Sequence, residues 1–134
     1  MISGFDRSGP IAGIEGDLAT AMESLRRLVD VLAVAVARRD GLIIAHLLPI
    51  GSDPKKVAAM CAALVGTSEV AARELQQGRF LQSIVEAEQG KVISTGAGER
   101  ALLVTIVRPD ANMGLVLLSI ERAAKEVEVI LSGI

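Results

Sequence analysis

The sequence predicts an α+β domain in which an antiparallel sheet is flanked by helices. Three observations support this: helical spacing of apolar residues near both ends and in the middle, short apolar runs typical of strands between them, and turn residues separating the runs. Tight turns pair neighbouring strands antiparallel. The 134 residues are enough for one domain, and 51% hydrophobic against 22% charged residues is the composition of a folded chain.

The first element is a helix that follows a glycine-rich start. Residues 1–16 contain four glycines and show no periodicity, so we expect a flexible segment ahead of a domain spanning residues 17–134. Asp17 is of a residue type that caps helices. The apolar residues that follow fall on one helical stripe, namely Leu18, Met22, Leu25 and Val29.

A β-hairpin is predicted next. Residues 31–37 are apolar on both faces and rich in valine, which is typical of a buried central strand. Asp40 and Gly41 separate this run from a return strand at residues 42–48. An Asp-Gly pair in this context predicts a two-residue turn in which both residues have positive φ.

A long helix should run from Asp53, as cap, through Pro54 at its first position to Gly78. No side chain is charged from residue 57 to residue 66. On a helical wheel one side holds Val57, Cys61, Leu64, Ala72 and Leu75. The roughly opposite side, where charge is expected on a surface helix, holds Ala59, Ala63, Gly66 and Val70.

Strand-like runs return after Gly78, at residues 81–87, 91–95, 101–107 and 115–119. A last helix is predicted over residues 120–131, with Gly133 as its stop. Gln89-Gly90 allows two interpretations. As a hairpin turn it gives six strands, and as a bulge within one bent strand it gives five.

Composition excludes several classes of function. The net charge is −2 and the only aromatic residues are two phenylalanines, so neither phosphate neutralisation nor base stacking is available and nucleic acid is not an expected partner. With one cysteine and one histidine we expect no metal site and no cofactor. The charge-free stretches are too short to cross a bilayer. We therefore expect a soluble, cytoplasmic protein without membrane insertion.

No group of residues predicts catalysis. Gly96, Gly98 and Ala101 match a dinucleotide-binding spacing, but a β-branched run follows where that motif needs a helix. His46 is expected to be an ordinary strand histidine, and Cys61 an inert core thiol.

The charged pairs are equally ordinary. Glu86 and Glu88 are expected to share an exposed strand face. The arginine pairs are interpreted as solvated charge, with docking of an acidic partner as the alternative; they are Arg26-Arg27 and Arg38-Arg39.

The apolar outer side of the long helix instead predicts self-association, since exposed apolar area favours a partner surface. A two-fold homodimer would pack this helix against its own copy, and strand 81–87, if it lies at a sheet edge, could pair with its copy. The alternative is that the amino-terminal segment covers the helix. The predicted interface comprises Ala59, Ala63, Gly66, Val70, Ser83, Ile84, Val85 and Glu86.

Several short sequences resemble one family. The Arg39-Asp40-Gly41-Leu42 hairpin, the Ala-rich helix and the phrases at residues 99–104, 112–118 and 121–124 together resemble the Roadblock/dynein light chain family, most closely its prokaryotic MglB-like branch. The resemblance covers about residues 17–132 and rests on the order of elements rather than on a single diagnostic motif.

The resemblance implies a five-stranded sheet in the order α-β-β-α-β-β-β-α, with Gln89-Gly90 as a bulge. It also implies homodimers formed through the long helix and the strand after it, and no catalytic residues. Family members act as scaffolds and regulators of small Ras-like GTPases, which is the expected function. The alternatives are a structural adaptor subunit of a larger motor or signalling assembly, and a small-molecule sensor or enzyme that uses the sheet face.

Overall fold

The computed structural model describes residues 14–132 and shows three helices and one antiparallel five-stranded sheet with the strand order β2-β1-β5-β4-β3. The elements in chain order are α1 (Glu15–Arg26), β1 (Val31–Arg38), β2 (Ile43–Leu47), α2 (Pro54–Glu74), β3 (Gln82–Ala87), β4 (Gly90–Ala97), β5 (Ala101–Val107) and α3 (Met113–Leu131). The predicted fold class and the order of elements are confirmed.

The sheet is the middle of three layers. Helices α1 and α3 pack side by side on one face, α1 over β1 and β2 and α3 over β4 and β5, while α2 alone lies on the other face. The main core lies between the sheet and the α1–α3 pair. Strands β1 and β5 are central and covered on both faces, which explains why they are almost uniformly apolar.

Of the two residues predicted to cap helices, one does so and the other does not. Asp53 caps α2 as predicted, with its carboxylate accepting from the backbone N–H of Lys55 and Lys56. The prediction for Asp17 is wrong: α1 begins at Glu15, so Asp17 lies in its first turn, where a carboxylate still interacts favourably with the helix dipole. Most of the predicted flexible segment, residues 1–13, falls outside the described residues. Helix α2 ends at Glu74, four residues earlier than predicted.

The β1–β2 turn differs from the predicted two-residue type. Gly41 has φ +96°, but Asp40 does not have positive φ. The Gly41 N–H donates to the Arg38 carbonyl at 3.0 Å and the Arg38 N–H donates to the Leu42 carbonyl at 2.7 Å. This is a type I turn followed by one left-handed residue, so only the glycine position requires positive φ.

The predicted strand at residues 115–119 is wrong, because α3 already begins at Met113. Asn112 caps this helix, and its side-chain oxygen accepts from the Leu115 N–H at 3.3 Å. The buried residues keep a helical period through the whole segment: Val116, Ile120, Ala123, Ala124, Val127 and Leu131. A short apolar run does not distinguish a strand from the first turns of a buried helix.

Gln89 lies in a hairpin turn and Gly90 is the first residue of β4, so the two residues do not form a bulge. Ala87 pairs with Gly90, and the two residues between them form the turn from β3 to β4. The sheet nevertheless has five strands, since the segment interpreted as a sixth is helical. The turn interpretation is confirmed, but its count of six strands is wrong. The expectation of five strands is confirmed, but the bulge that it included is wrong.

Gly90 is required by close packing. A Cβ atom at this position would lie 2.7 Å from the carbonyl oxygen of Val107 on β5, inside van der Waals contact with backbone that cannot rotate away. A Cβ atom on Gly16, in the first turn of α1, would meet nothing within 4 Å.

We therefore expect Gly90→Ala to lower the free energy of unfolding by about 1–3 kcal/mol through forced backbone shifts. Gly16→Ala is the matched control, and it should raise stability by up to about 1 kcal/mol because alanine is the better helix former. Urea unfolding measures both. Equal effects of the two substitutions would contradict the assigned packing.

Candidate functional site

The outward side of α2 is apolar, and no other part of residues 14–132 covers it. The helix rests on the sheet through Ala58, Cys61 and Val65, all buried. Its exposed side presents Ala59, Met60, Ala63, Gly66, Thr67 and Val70, with Met60 63% and Val70 48% exposed. The Thr67 hydroxyl donates to the Ala63 carbonyl at 2.9 Å, which satisfies this polar group within the helix. Apolar area is thus available to a partner.

The side of this helix that the sequence predicted to hold Val57, Cys61, Leu64, Ala72 and Leu75 faces the sheet, except at Leu75. Cys61 is buried and Val57, Leu64 and Ala72 are half-buried, as expected of a sheet-facing side. Leu75 lies beyond the last turn of α2 and is 69% exposed. It takes no part in the core because the helix ends earlier than the periodicity suggested.

Strand β3 lies at the edge of the sheet, where the sequence placed it. Within the described chain it pairs only with β4, so the backbone groups along its outer side have no strand partner. Ile84 and Val85 are 39% and 42% exposed, and Glu86 is exposed. An uncovered edge with apolar side chains is a surface on which another strand can pair.

A hydrogen bond between two serines joins α2 to β3. The Oγ atoms of Ser68 and Ser83 are 2.9 Å apart, and Ser68 also donates to the Leu64 carbonyl at 2.8 Å. Because the single Ser68 hydroxyl proton is used in that bond, Ser83 is the donor in the pair. Ser68 therefore marks the flank of α2 that faces the edge strand.

The two flanks of α2 face different elements. On the β3 side, Leu64 and Ala71 lie one turn from Ser68, and Met60 lies one turn before Leu64. On the other side, a Cβ on Gly41 of the β1–β2 turn would lie 3.4 Å from the Ala59 Cα.

Among the residues predicted for the interface, Ala63 and Val70 lie opposite the buried side, while Ala59 and Gly66 lie toward the turn. Ser83 is half-buried under α2. The β3-facing flank was missed by sequence reasoning, since no local signal tells which flank of a helix faces which strand.

Arg39 fixes the same helix at the opposite flank. Its Nη1 donates to the Glu69 carboxylate at 2.8 Å and its Nη2 donates to the Gly98 carbonyl at 2.9 Å. This half-buried guanidinium joins the β1–β2 turn, α2 and the β4–β5 turn. The neighbouring Arg38 instead forms an exposed pair with Asp40. Arg39 is therefore a structural link, and not solvated charge as predicted.

The two residues with reactive side chains are placed for packing. His46 lies on β2 opposite Ala35, on the sheet face that α2 covers, and burial lowers the pKa of its imidazole. Its Nδ1 is buried without a hydrogen-bond partner among the described residues. Burial raises the pKa of the Cys61 thiol, which lowers the fraction of the reactive thiolate form. Burial thus favours the neutral form of both groups.

The remaining candidates are also structural. Gly98 lies in the turn between β4 and β5, and strand β5 follows it, so the dinucleotide spacing leads into a strand. Glu86 lies on β3, but the expected face shared with Glu88 is wrong because β3 ends at Ala87 and Glu88 is in the turn.

Two further features of residues 14–132 bear on function. No cluster of three or more His, Cys, Asp or Glu side chains is arranged to hold a metal ion in this part of the chain. Among the same residues, none of the helices combines the length and apolar character that a membrane crossing requires.

A three-layer domain with an apolar helix face beside a free sheet edge is typical of protein-interaction modules. The Roadblock/LC7 domain model matches residues 18–107, and the chain belongs to this family. An uncharacterised protein of Methanocaldococcus jannaschii, MJ1340, is 37% identical over 93 residues, which cover 69% of this chain and 81% of that protein.

Solved structures agree with this assignment at the level of the fold. MglB of Myxococcus xanthus superposes with a TM-score of 0.83 at 21% identity, covering 90% of this chain and 98% of that one. A structure described as MglB with tetrameric arrangement gives a TM-score of 0.80 at 24% identity, covering 87% and 89%. The resemblance to the prokaryotic MglB-like branch is therefore confirmed at the level of the fold.

The environment of His46 predicts a pH-dependent stability. Burial holds the folded-state pKa of His46 below its ordinary value of 6.5. The contribution of this residue to stability is therefore full above pH 6.5 and is lost as the pH falls from there through the folded-state pKa. The chain has one histidine, so its ring-proton NMR titration reports this pKa directly. His46→Gln leaves all carboxylates unchanged. The free energy of unfolding of this variant should therefore fall less between neutral pH and pH 5 than that of the parent protein. A measured pKa above 6.5 would contradict this placement.

Proposed function

We propose that this protein is a homodimer assembled through α2 and the edge strand β3. The observation that supports this proposal best is the adjacency of the uncovered apolar side of α2 and the unpaired edge of β3, held together by the Ser68–Ser83 hydrogen bond. A two-fold axis beside β3 pairs the strand with its copy and sets the two α2 helices side by side. One sheet then continues through both subunits.

The interface comprises the residues predicted from the sequence together with the β3-facing flank of α2. The sequence-predicted set is Ala59, Ala63, Gly66, Val70, Ser83, Ile84, Val85 and Glu86. Met60 and Leu64 add larger apolar side chains next to β3. Each 100 Å² of apolar surface removed from water contributes about 2.5 kcal/mol before the entropy of association is subtracted. Small residues on α2 permit close approach of the two helices.

We further propose that the dimer is a non-enzymatic scaffold that binds a small Ras-like GTPase in the cytoplasm and tunes its nucleotide state or location. Membership of the Roadblock/LC7 family and the function implied by the MglB-like resemblance support this. The neutral, structural environments of His46 and Cys61 agree with a role in binding.

Placing a carboxylate on the outer side of α2 tests the dimer. Ala63→Glu and Met60→Glu should each shift the protein toward monomer, because a buried unpaired charge costs several kcal/mol. Ser24→Glu is the matched control, since it adds the same charge to an exposed position of α1. Light scattering coupled to size exclusion measures the mass. A dimer that persists in both α2 variants, or a monomeric parent protein, would refute the proposed interface.

Binding of a GTPase is tested with the small Ras-like GTPases encoded in the same genome. We expect one of them to form a complex whose affinity differs between its GDP-bound and GTP-analogue-bound forms, or whose hydrolysis rate changes on addition of this protein. Ser24→Glu should retain the effect. No complex in either nucleotide state, together with an intact dimer, would indicate the alternative, an adaptor subunit of a GTPase-free assembly.

A further inference from the structure

A groove lies between α3 and the segment that leads into β3, and its lining extends to Arg39 and to Glu69 of α2. Helix α3 covers β4 and β5 but stops short of the edge strand. The resulting cleft has a volume of about 1190 Å³ and is open to solvent. All of its lining residues belong to one subunit.

The groove is apolar where α3 faces the segment that precedes β3. Leu118 is 50% and Leu81 70% exposed, and Leu117 and Phe80 are half-buried in the same lining. Ile84, 39% exposed, lies next to Gln82 on the same face of β3, since both pair with β4 residues of that face. Aliphatic side chains concentrated along one cleft mark a binding surface.

The dimensions of the groove fit a helix. The α3 wall runs from Leu117 to Glu128, which is about 17 Å or three helical turns. A groove with a helix as one wall accepts a second helix at an axial separation of about 8–10 Å. Partner side chains at positions i, i+3 or i+4 and i+7 would then face the leucines.

Charge on the wall indicates the kind of helix. Glu99 in the β4–β5 turn and Glu121 and Glu128 on α3 line this side, and the only cation among these α3 positions, Lys125, is 3.5 Å from Glu121. The other cations of the lining are Arg79 on the opposite lip and Arg39, which is paired with Glu69 at 2.8 Å. Excess negative charge along α3 complements Lys or Arg side chains on the flank of a bound helix.

We propose that this groove binds an amphipathic helix of a partner protein, with aliphatic residues facing Leu117 and Leu118 and basic residues along α3. The groove lies on the α3 side of the sheet and adjoins the proposed α2–β3 interface at Ile84. It gives the protein a second interaction site, on the face of the sheet opposite the outer side of α2.

The test uses a synthetic amphipathic peptide of about 18 residues, long enough to be helical, with leucines on one face and lysines on one flank. A second peptide carries glutamates in place of the lysines. Methyl NMR of the full chain should show shifts at Leu117, Leu118 and Ile84 with the lysine peptide, and affinity should fall as salt is raised.

Two matched variants separate binding from folding. Leu118→Ser should lower the affinity for the lysine peptide about tenfold. Leu32→Ser, at a leucine of similar exposure on β1, should leave this affinity unchanged. The double variant Glu99→Lys, Glu128→Lys should reverse the preference in favour of the glutamate peptide. Binding should persist in Ala63→Glu, so that failure of the dimer and failure of the groove are distinguishable.

Several results would overturn the proposal. These are the absence of methyl shifts in the groove, shifts centred on α2 instead, or equal affinity for the two peptides. If Phe5→Ser changes the groove methyl signals of the free protein, the amino-terminal segment of the chain occupies the cleft. If those signals depend on protein concentration, a second copy covers it.

Discussion

The architecture depends on how much of the sheet three helices can cover. Five strands at a spacing of about 4.8 Å form a sheet about 24 Å wide, and one helix with its side chains is about 10 Å across. Two helices therefore come close to covering one face, and a single helix covers less than half of the other. The parts of the sheet left uncovered by the described helices are the edge strand β3 and the groove beside α3. Since α2 is the only described helix on its face of the sheet, its outer side also has no neighbouring helix.

Polar contacts hold these surfaces in fixed relation to one another. On one flank of α2 the Ser68–Ser83 hydrogen bond connects the helix to the edge strand. On the other flank Arg39 connects it, through Glu69, to the two turns at that end of the sheet. Because α2 rests on a small core cluster around Ala35, Cys61 and Val104, these side-chain bonds supply orientation that apolar packing alone would leave less defined.

Much of the fold could be predicted because local chemistry is unambiguous at many boundaries. The Asp53-Pro54 pair starts α2 where predicted, and β5 has the predicted limits because a turn and Pro109 enclose a β-branched run. Predictions failed where a short segment suits two structures. Leu115 to Ser119 reads as a strand until its apolar positions are joined to those of the following turns, and the sheet supplies the surface on which that longer helix packs.

By itself the sequence determined the order of elements, the apolar character of both sides of α2 and the candidacy of β3 as an edge, since these depend on residue type and spacing along the chain. Only the tertiary structure decided which flank of α2 faces β3, and so brought Met60 and Leu64 beside the residues predicted for the interface. It alone also created the groove between α3 and β3. The reason is physical: the rotation of a helix about its axis and its distance from a strand are set by contacts between residues far apart in sequence, which local periodicity does not encode.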